Sequence, residues 1–424
     1  MLLRFRFANF RSFRDEQELS LVAGPFTDHP GVVRPSAVIS EGILPGAAIY
    51  GSNASGKTNV IQAFRFMAEA VSSSHRSWNP EGPIPRDPFM SGQESSGEPS
   101  EIEADFVLAD VRYRYGFRVD SEVVLEEWLY VYPKGKKQTW FHRRQGSPIA
   151  FSNKMAGENR TIENLTRKNS LFLSTAAQNN HESILPVYKW LSSLLFVIGD
   201  RGILLHHTSK LCAAPEYRSK VANLISFADL GIADLQLAET ERPVLSRELL
   251  AAISSVLKQD LKPPETETEL RLIHRFGQKE VPLLLSQESA GTIAYLSLLG
   301  PVVDALNKGV PLLIDELDES LHPLLAIELI RMFNTPSSNP KGAQLIFNTH
   351  DTNLLSSGVL RRDQIWFTEK DKNANSHLFP LSDFKPRRQE NLENGYLQGR
   401  YGAIPFINPE VLLTQHEADN GEAG

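Results

Sequence analysis

Eight consecutive residues, Gly51-Ser52-Asn53-Ala54-Ser55-Gly56-Lys57-Thr58, constrain this chain more than any other stretch. They satisfy the pattern G-x-x-x-x-G-K-[ST] and sit where that pattern acts. Before them runs a short apolar strand, Ala47-Ala48-Ile49-Tyr50; after them, Asn59 to Ala70 carries Ile61, Phe64 and Met67 at helical spacing. The glycines let backbone N–H groups turn inward around phosphate oxygens, and the helix start adds its positive dipole end. Lys57 would then reach the β- and γ-phosphates, and the Thr58 hydroxyl would serve Mg2+. A chain with strand, loop and helix in this order is committed to an α/β fold.

A second apolar run, Val310-Pro311-Leu312-Leu313-Ile314, ends in Asp315-Glu316. A strand that drops two acids at its C-terminal end, in a fold with a phosphate loop, places Asp315 for Mg2+ and Glu316 to polarise an attacking water as general base. Alone, such a run ends as often in a solvated turn. His350 stands at the end of a third buried run, Gln344 to Asn348, a place where a lone histidine is more often structural than functional. Composition removes other classes. With one cysteine, Cys212, there is no disulfide framework or cysteine-rich zinc site, and the chain fits a reducing cytoplasm. Its richest apolar region, Ile293 to Ile314, is interrupted by Pro301, Asp304 and Lys308, so no transmembrane helix and no membrane partner are expected. Lys and Arg number 44 against 51 Asp and Glu, a net charge of −7, which argues against a uniformly basic nucleic-acid binder.

The ordered set of phosphate loop with flanking asparagines (GSNASGKTN), Asp-Glu, the following Leu317-Asp318-Glu319-Ser320-Leu321-His322-Pro323 and a strand-end histidine resembles ABC-type ATPases. The branch is the one that includes SMC proteins, RecF and the OLD nucleases, whose members open on a strand, N-F-[RK]-[SC]-[FY] and a second strand, like LLRFRFANFRSFRDEQELSL here. The resemblance implies an ABC-type head with a mixed sheet and flanking helices, binding ATP with Mg2+ along Gly51 to Asn59. Lys57, Glu316 and His350 would serve catalysis, and Thr58 with Asp315 the metal. It also implies a signature segment, for which Gln287-Glu288-Ser289-Ala290-Gly291-Thr292 is the candidate, with Ser289 and Gly291 facing a nucleotide on a second subunit. A plain Ser289 helix cap is the compatible, simpler reading. Gln178 is the candidate for the metal-contacting glutamine of the Q-loop, although an exposed loop glutamine is the commoner use. Narrower still, Asn391 to Phe406, with GYLQGRYGAIPF, resembles the ending of RloA/AbiL-type ATPases of bacterial phage-defence operons. The glycines and tyrosines of that ending suggest tight packing, either on the protein's own sheet or on a partner.

From Thr58 to Ser289 lie 231 residues, so the head is expected to be discontinuous. The divisions expected are 1–70 for an N-terminal lobe, 71–280 for further strands and an inserted, mostly helical region, 281–409 for a C-terminal lobe, and 410–424 for a polar tail. Alternating segments Ile102–Leu108, Arg112–Val119 and Leu125–Tyr132 predict an antiparallel meander, residues 72–101 a loop, and Asn159 to about Leu261 an interrupted helical stretch. No heptad run announces a coiled-coil arm. The resemblance implies a head-to-head dimer and an effector supplied in trans, Toprim/RloB-like or an HNH nuclease, because too little chain follows His350 for a nuclease of its own. An ATP-bound scaffold with little turnover and a RecF-like repair ATPase are the alternatives. The basic runs Lys134 to Arg144 and Lys385-Pro386-Arg387-Arg388 offer nucleic acid a contact, though solvated charges are the more common role.

Overall fold

A seven-stranded antiparallel sheet carries the N-terminal half of the chain, in the order Gln17–Ser20, Leu2–Ala8, Ser100–Leu108, Val111–Val119, Val124–Tyr132, Gln138–Arg144, Ala150–Phe151. The computed structural model describes residues 1–90, 97–199, 201–228, 231–241, 266–319 and 321–404. The tail expected from 410 on lies outside them, as do residues 242–261 of the expected helical stretch and 91–96 of the expected loop.

The first strand shows why the sheet forms. Leu3, Phe5 and Phe7 point to one face and are wholly buried, while Arg4 and Arg6 lie on the other and meet Glu18 and Glu103 of the neighbouring strands. The apolar face covers the helix Lys57–Ser73, with the Phe5 and Phe64 rings stacked at 3.6 Å and Phe10 against Phe66 at 5.7 Å. The phosphate-loop helix is therefore held by the sheet that the opening residues begin.

The chain divides into two compact units, one formed by Leu2–Ser192 and the chain from Ile346 on, the other by Ser193–Leu345. In the first, the buried strand Gly46–Gly51 runs parallel to Ile365–Lys370, which pairs antiparallel with Ser376–Pro380. The N–H of Thr349 also donates to Ile49 O (3.2 Å), so Gly46–Gly51 is flanked on both sides.

In the second unit, Pro311–Ile314 pairs in parallel with Leu195–Val197. The strands Ile232–Glu241, Thr266–Phe276 and Lys279–Leu284 form a separate antiparallel sheet. Ile232–Glu241 falls where continued helix was expected. Helices do fill Asn159–Leu165, Phe172–Gln178, Leu185–Ser192, Arg201–Cys212 and Pro215–Phe227, but the alternation Leu235, Leu237 then takes a strand's period.

The long helix Ala290–Lys308 contains Pro301, which cannot donate to Ser297 O and would leave that carbonyl without its helical partner. Thr208, from the helix Arg201–Cys212, brings its hydroxyl to 3.3 Å from both Leu296 O and Ser297 O. Gly300 permits this approach: a Cβ there would stand 2.3 Å from Thr208 Oγ1. The helix ends at Gly309, in the left-handed conformation favoured at that position.

Candidate nucleotide-binding site

The loop Gly51–Thr58 leaves its strand through two close approaches that only glycine allows. A Cβ on Gly51 would lie 2.4 Å from Thr368 O, and one on Gly56 (φ 112°) would lie 2.8 Å from Ser376 Oγ and 2.9 Å from Ser12 Oγ. Ala54 adopts a left-handed conformation between them (φ 61°). The loop is fastened at its sides: Ser55 Oγ is 2.6 Å from Thr368 Oγ1, and Asn59 Nδ2 donates to Ser12 Oγ (2.8 Å), which also receives Ser376 Oγ (2.9 Å). Asn53 and Ala54 are exposed and Ser52 is half-buried, so the loop's crest faces outward.

Lys57 is 6 % exposed and donates to Gly51 O (2.8 Å) and Ser52 O (3.0 Å). The ammonium thus lies within the curve of the loop. A phosphate placed within that curve would add a charge-assisted partner to the ammonium. Thr58 follows at the first helical turn. His350, in the same unit, is exposed just past the buried strand end Asn348-Thr349. Beside it the Asp351 carboxylate accepts from Asn353 N (3.0 Å) and Nδ2 (2.6 Å) and fixes the turn that follows.

The second unit carries the acids. Pro311–Ile314 is fully buried; Asp315, half-buried, donates its N–H to Val197 O (2.9 Å). Glu316 is exposed and left-handed (φ 55°), an uncommon backbone state for a residue with a Cβ. The turn is closed by Glu319 N donating to Glu316 O (3.0 Å), while Leu317 anchors it in the core.

Ser289 caps the helix Ala290–Lys308 by accepting from Thr292 N (3.1 Å), so the simple capping role holds. Ser289 and Gly291 are both exposed. The residue before them is not: Glu288 is bonded to His274 Nε2 at 2.7 Å, with only 5 % of its side chain exposed. Gln287 ties back to Leu284 N (2.9 Å). The turn into the helix is therefore fixed from three consecutive side chains. Glu288 was visible in the sequence as a signature-segment residue, but nothing there pointed to His274.

Gln178 is exposed at the end of Phe172–Gln178 and donates to Tyr188 OH (3.2 Å). The start of that short helix is held by Glu127, which is fully buried and accepts from Phe172 N (2.6 Å), Leu173 N (2.9 Å) and Tyr115 OH (3.0 Å). Burial pushes the Glu127 carboxyl up, against the opposing pull of Arg143 and the two N–H groups.

The GYLQGRYGA stretch packs on the protein's own sheet. Tyr396 stacks on Phe367 at 5.5 Å and meets Tyr50 of the loop's own strand edge-on at 5.8 Å; Tyr401 stacks on Phe367 at 5.7 Å. Gly395 lies under the Tyr401 ring, where a Cβ would fall 2.7 Å from its hydroxyl. Tyr396 OH donates to Ala403 O (3.1 Å). Pro405 and Phe406, the last two residues of that ending, lie outside the described residues.

A family model described as "AAA domain, putative AbiEii toxin, Type IV TA system" matches residues 47–356, from the strand before the loop to just past His350. The chain belongs to that family. It is accordingly a P-loop ATPase-family protein of mixed α/β fold. Among solved structures it is similar to the Smc head domain of Pyrococcus furiosus, with an extended coiled coil and bound to the C-terminal domain of ScpA. The identity is 13 %, with 90 % of this chain and 97 % of that one covered at a TM-score of 0.41. No curated protein matches the chain. Among the described residues no helix is long and apolar enough to cross a membrane.

Proposed function

We propose that the chain hydrolyses ATP as an ABC-type head and works as a head-to-head dimer that governs a separate effector in phage defence. The observation that carries the nucleotide reading is the buried Lys57 ammonium inside a loop whose two glycines leave no room for a Cβ. The inward-turned backbone would hold the phosphates, and Thr58 and Asp315 would hold Mg2+, which supplies charge neutralisation at the transferred phosphoryl group. Glu316 would accept the proton of the attacking water. His350 would sense the terminal phosphate.

Ser289 and Gly291, exposed at the start of a nineteen-residue helix, would offer a hydroxyl and first-turn N–H groups to the partner's nucleotide. ATP then favours the closed dimer through contacts that ADP cannot make. The defence role, with a Toprim/RloB-like or HNH effector, rests on the resemblance of the C-terminal ending. Gln178, whose amide donates to Tyr188 OH, would have to leave that bond to contact the metal.

The dimer is tested by mixing Lys57→Ala and Ser289→Arg chains. Each alone should be nearly inactive; a mixed dimer keeps one site with an intact loop and an intact signature, so part of the ATPase activity should return. No recovery despite demonstrated subunit exchange would remove the composite site.

A further inference from the structure

The basic run at residues 385–388, which the nucleotide reading leaves unused, does not hang free. Pro386 is buried and its carbonyl accepts from Arg362 Nη1 (2.6 Å), while Arg387 N donates to Glu390 Oε2 (3.0 Å). Arg362 is itself held three ways: to Asp28 (2.7 Å), to Pro386, and over the Phe26 ring at 4.5 Å. This staple presents Arg387 and Arg388 at the rim of a cleft of about 290 Å³, lined also by His29, Arg362 and Ser356. No residue of Gly51–Thr58 lines it.

The charges in this cleft do not cancel. Its two carboxylates are already engaged: Asp28 with Arg362, and Glu390 with Tyr401 OH (2.5 Å), Arg400 (2.6 Å) and the Arg387 N–H. Among the described residues the Arg387 and Arg388 guanidinium groups make no side-chain hydrogen bond; Arg387 bonds Glu390 through its backbone N–H, and its charge helps hold that carboxyl down. Both side chains are exposed on a chain whose net charge is −7, so the local excess of cation is opposed to the overall sign. A solvated surface arginine needs neither a buried proline nor an anchoring ion pair behind it. Two planar forks on a fixed turn at a small concavity suit a compact dianion with three oxygens, and they suit an extended polyanion poorly, because so few cations neutralise few phosphates.

We propose that this cleft is a second anion site that binds a phosphate monoester, carried either by a free mononucleotide or by the 5′ end of a nucleic acid. Arg387 and Arg388 clamp the phosphoryl oxygens, and the Asp28–Arg362 pair holds the floor without competing for them.

The test uses the full chain with Lys57→Ala, which silences the loop site. A short oligothymidylate labelled at its 3′ end, with a 5′-phosphate or a 5′-hydroxyl, is followed by fluorescence anisotropy. The phosphorylated form should bind about tenfold tighter or more, as expected for charge-assisted hydrogen bonds. That preference should vanish in Arg387→Ser/Arg388→Ser and in Arg388→Glu, each checked for an unchanged thermal midpoint. AMP displacing the phosphorylated oligonucleotide at comparable concentration would assign the site to free nucleotides; AMP failing to displace it would assign the site to nucleic-acid ends. Equal binding of the two oligonucleotides, or a preference that survives both variants, overturns the proposal.

Discussion

Replacing Gly300 by alanine should destabilise the protein, against the rule that alanine outranks glycine in a helix. Propensity alone favours the change by about 1 kcal/mol. The new methyl, however, would stand 2.3 Å from Thr208 Oγ1, 2.7 Å from its Cα and 2.9 Å from its Cβ. Two of those atoms cannot rotate away, and overpacking of this kind costs roughly 1–3 kcal/mol. Moving Thr208 also disturbs a hydroxyl whose single proton is shared among Leu204 O (3.1 Å), Leu296 O and Ser297 O (both 3.3 Å), and leaving the Ser297 carbonyl, which Pro301 cannot serve, unsatisfied costs up to roughly 1–3 kcal/mol. The balance is a loss of about 1–5 kcal/mol, centred near 3. With a urea dependence of about 2 kcal/mol/M, the midpoint should fall by roughly 1.5 M. Urea unfolding followed by tryptophan fluorescence, with hydrogen exchange read over Ala290–Lys308, would measure it. Adding Thr208→Ala should restore only part of the loss, because the Cα and Cβ contacts remain. A midpoint equal to or above that of the wild type would refute the packing argument.

Glu316→Gln should keep ATP bound and slow hydrolysis by about 10²–10⁴-fold, the usual share of a general base, as read in single-turnover assays; a wild-type rate would place the base elsewhere. Lys57→Ala should abolish nucleotide affinity measured with Mg2+ present, since the loop keeps its dipoles and loses its cation. Burial alone would raise the Asp28 carboxyl, but the hydrogen bonds and charge of Arg362 bring it from 3.8 down to about 2. Its contribution to stability is therefore complete above about pH 4 and is lost as the pH falls towards 2. Asp28→Asn should remove that acid slope, and a slope unchanged in the variant would show that the pair is not coupled to folding.

The phosphate loop was legible in the sequence because its chemistry is local: eight residues specify both the turn and the ligand. The helix Lys57–Ser73 and the meander strands declared themselves through their periods, and Gly46–Gly51 through a short unbroken apolar run before the loop. Other features escaped because they depend on partners far along the chain. Thr368 grips Ser55 across 313 residues and Ser376 reaches Ser12 across 364, and nothing in either neighbourhood announces it. Ile232–Glu241 carried a readable alternation, but the helical pattern before it outweighed so short a run. The ending rich in glycine and tyrosine was readable as tight packing. What it packs on became clear only when Phe367 and Tyr50 appeared beneath it.

The flanking of Gly46–Gly51 has a consequence during synthesis. Ala48 waits for Ile365, 317 residues further along, and the backbone on its other side arrives only with Thr349. At about 5–20 residues per second a ribosome takes on the order of 15–60 s to supply them. For that interval the fully buried strand that leads into the phosphate loop exists with both edges bare, in a nascent chain already able to close its antiparallel meander. Such a strand is a template for wrong pairing. Slowing translation between Gly51 and Thr349 would lengthen that exposure, and covering the strand until Ile365 emerges would shorten it, so the yield of folded chain should respond to both.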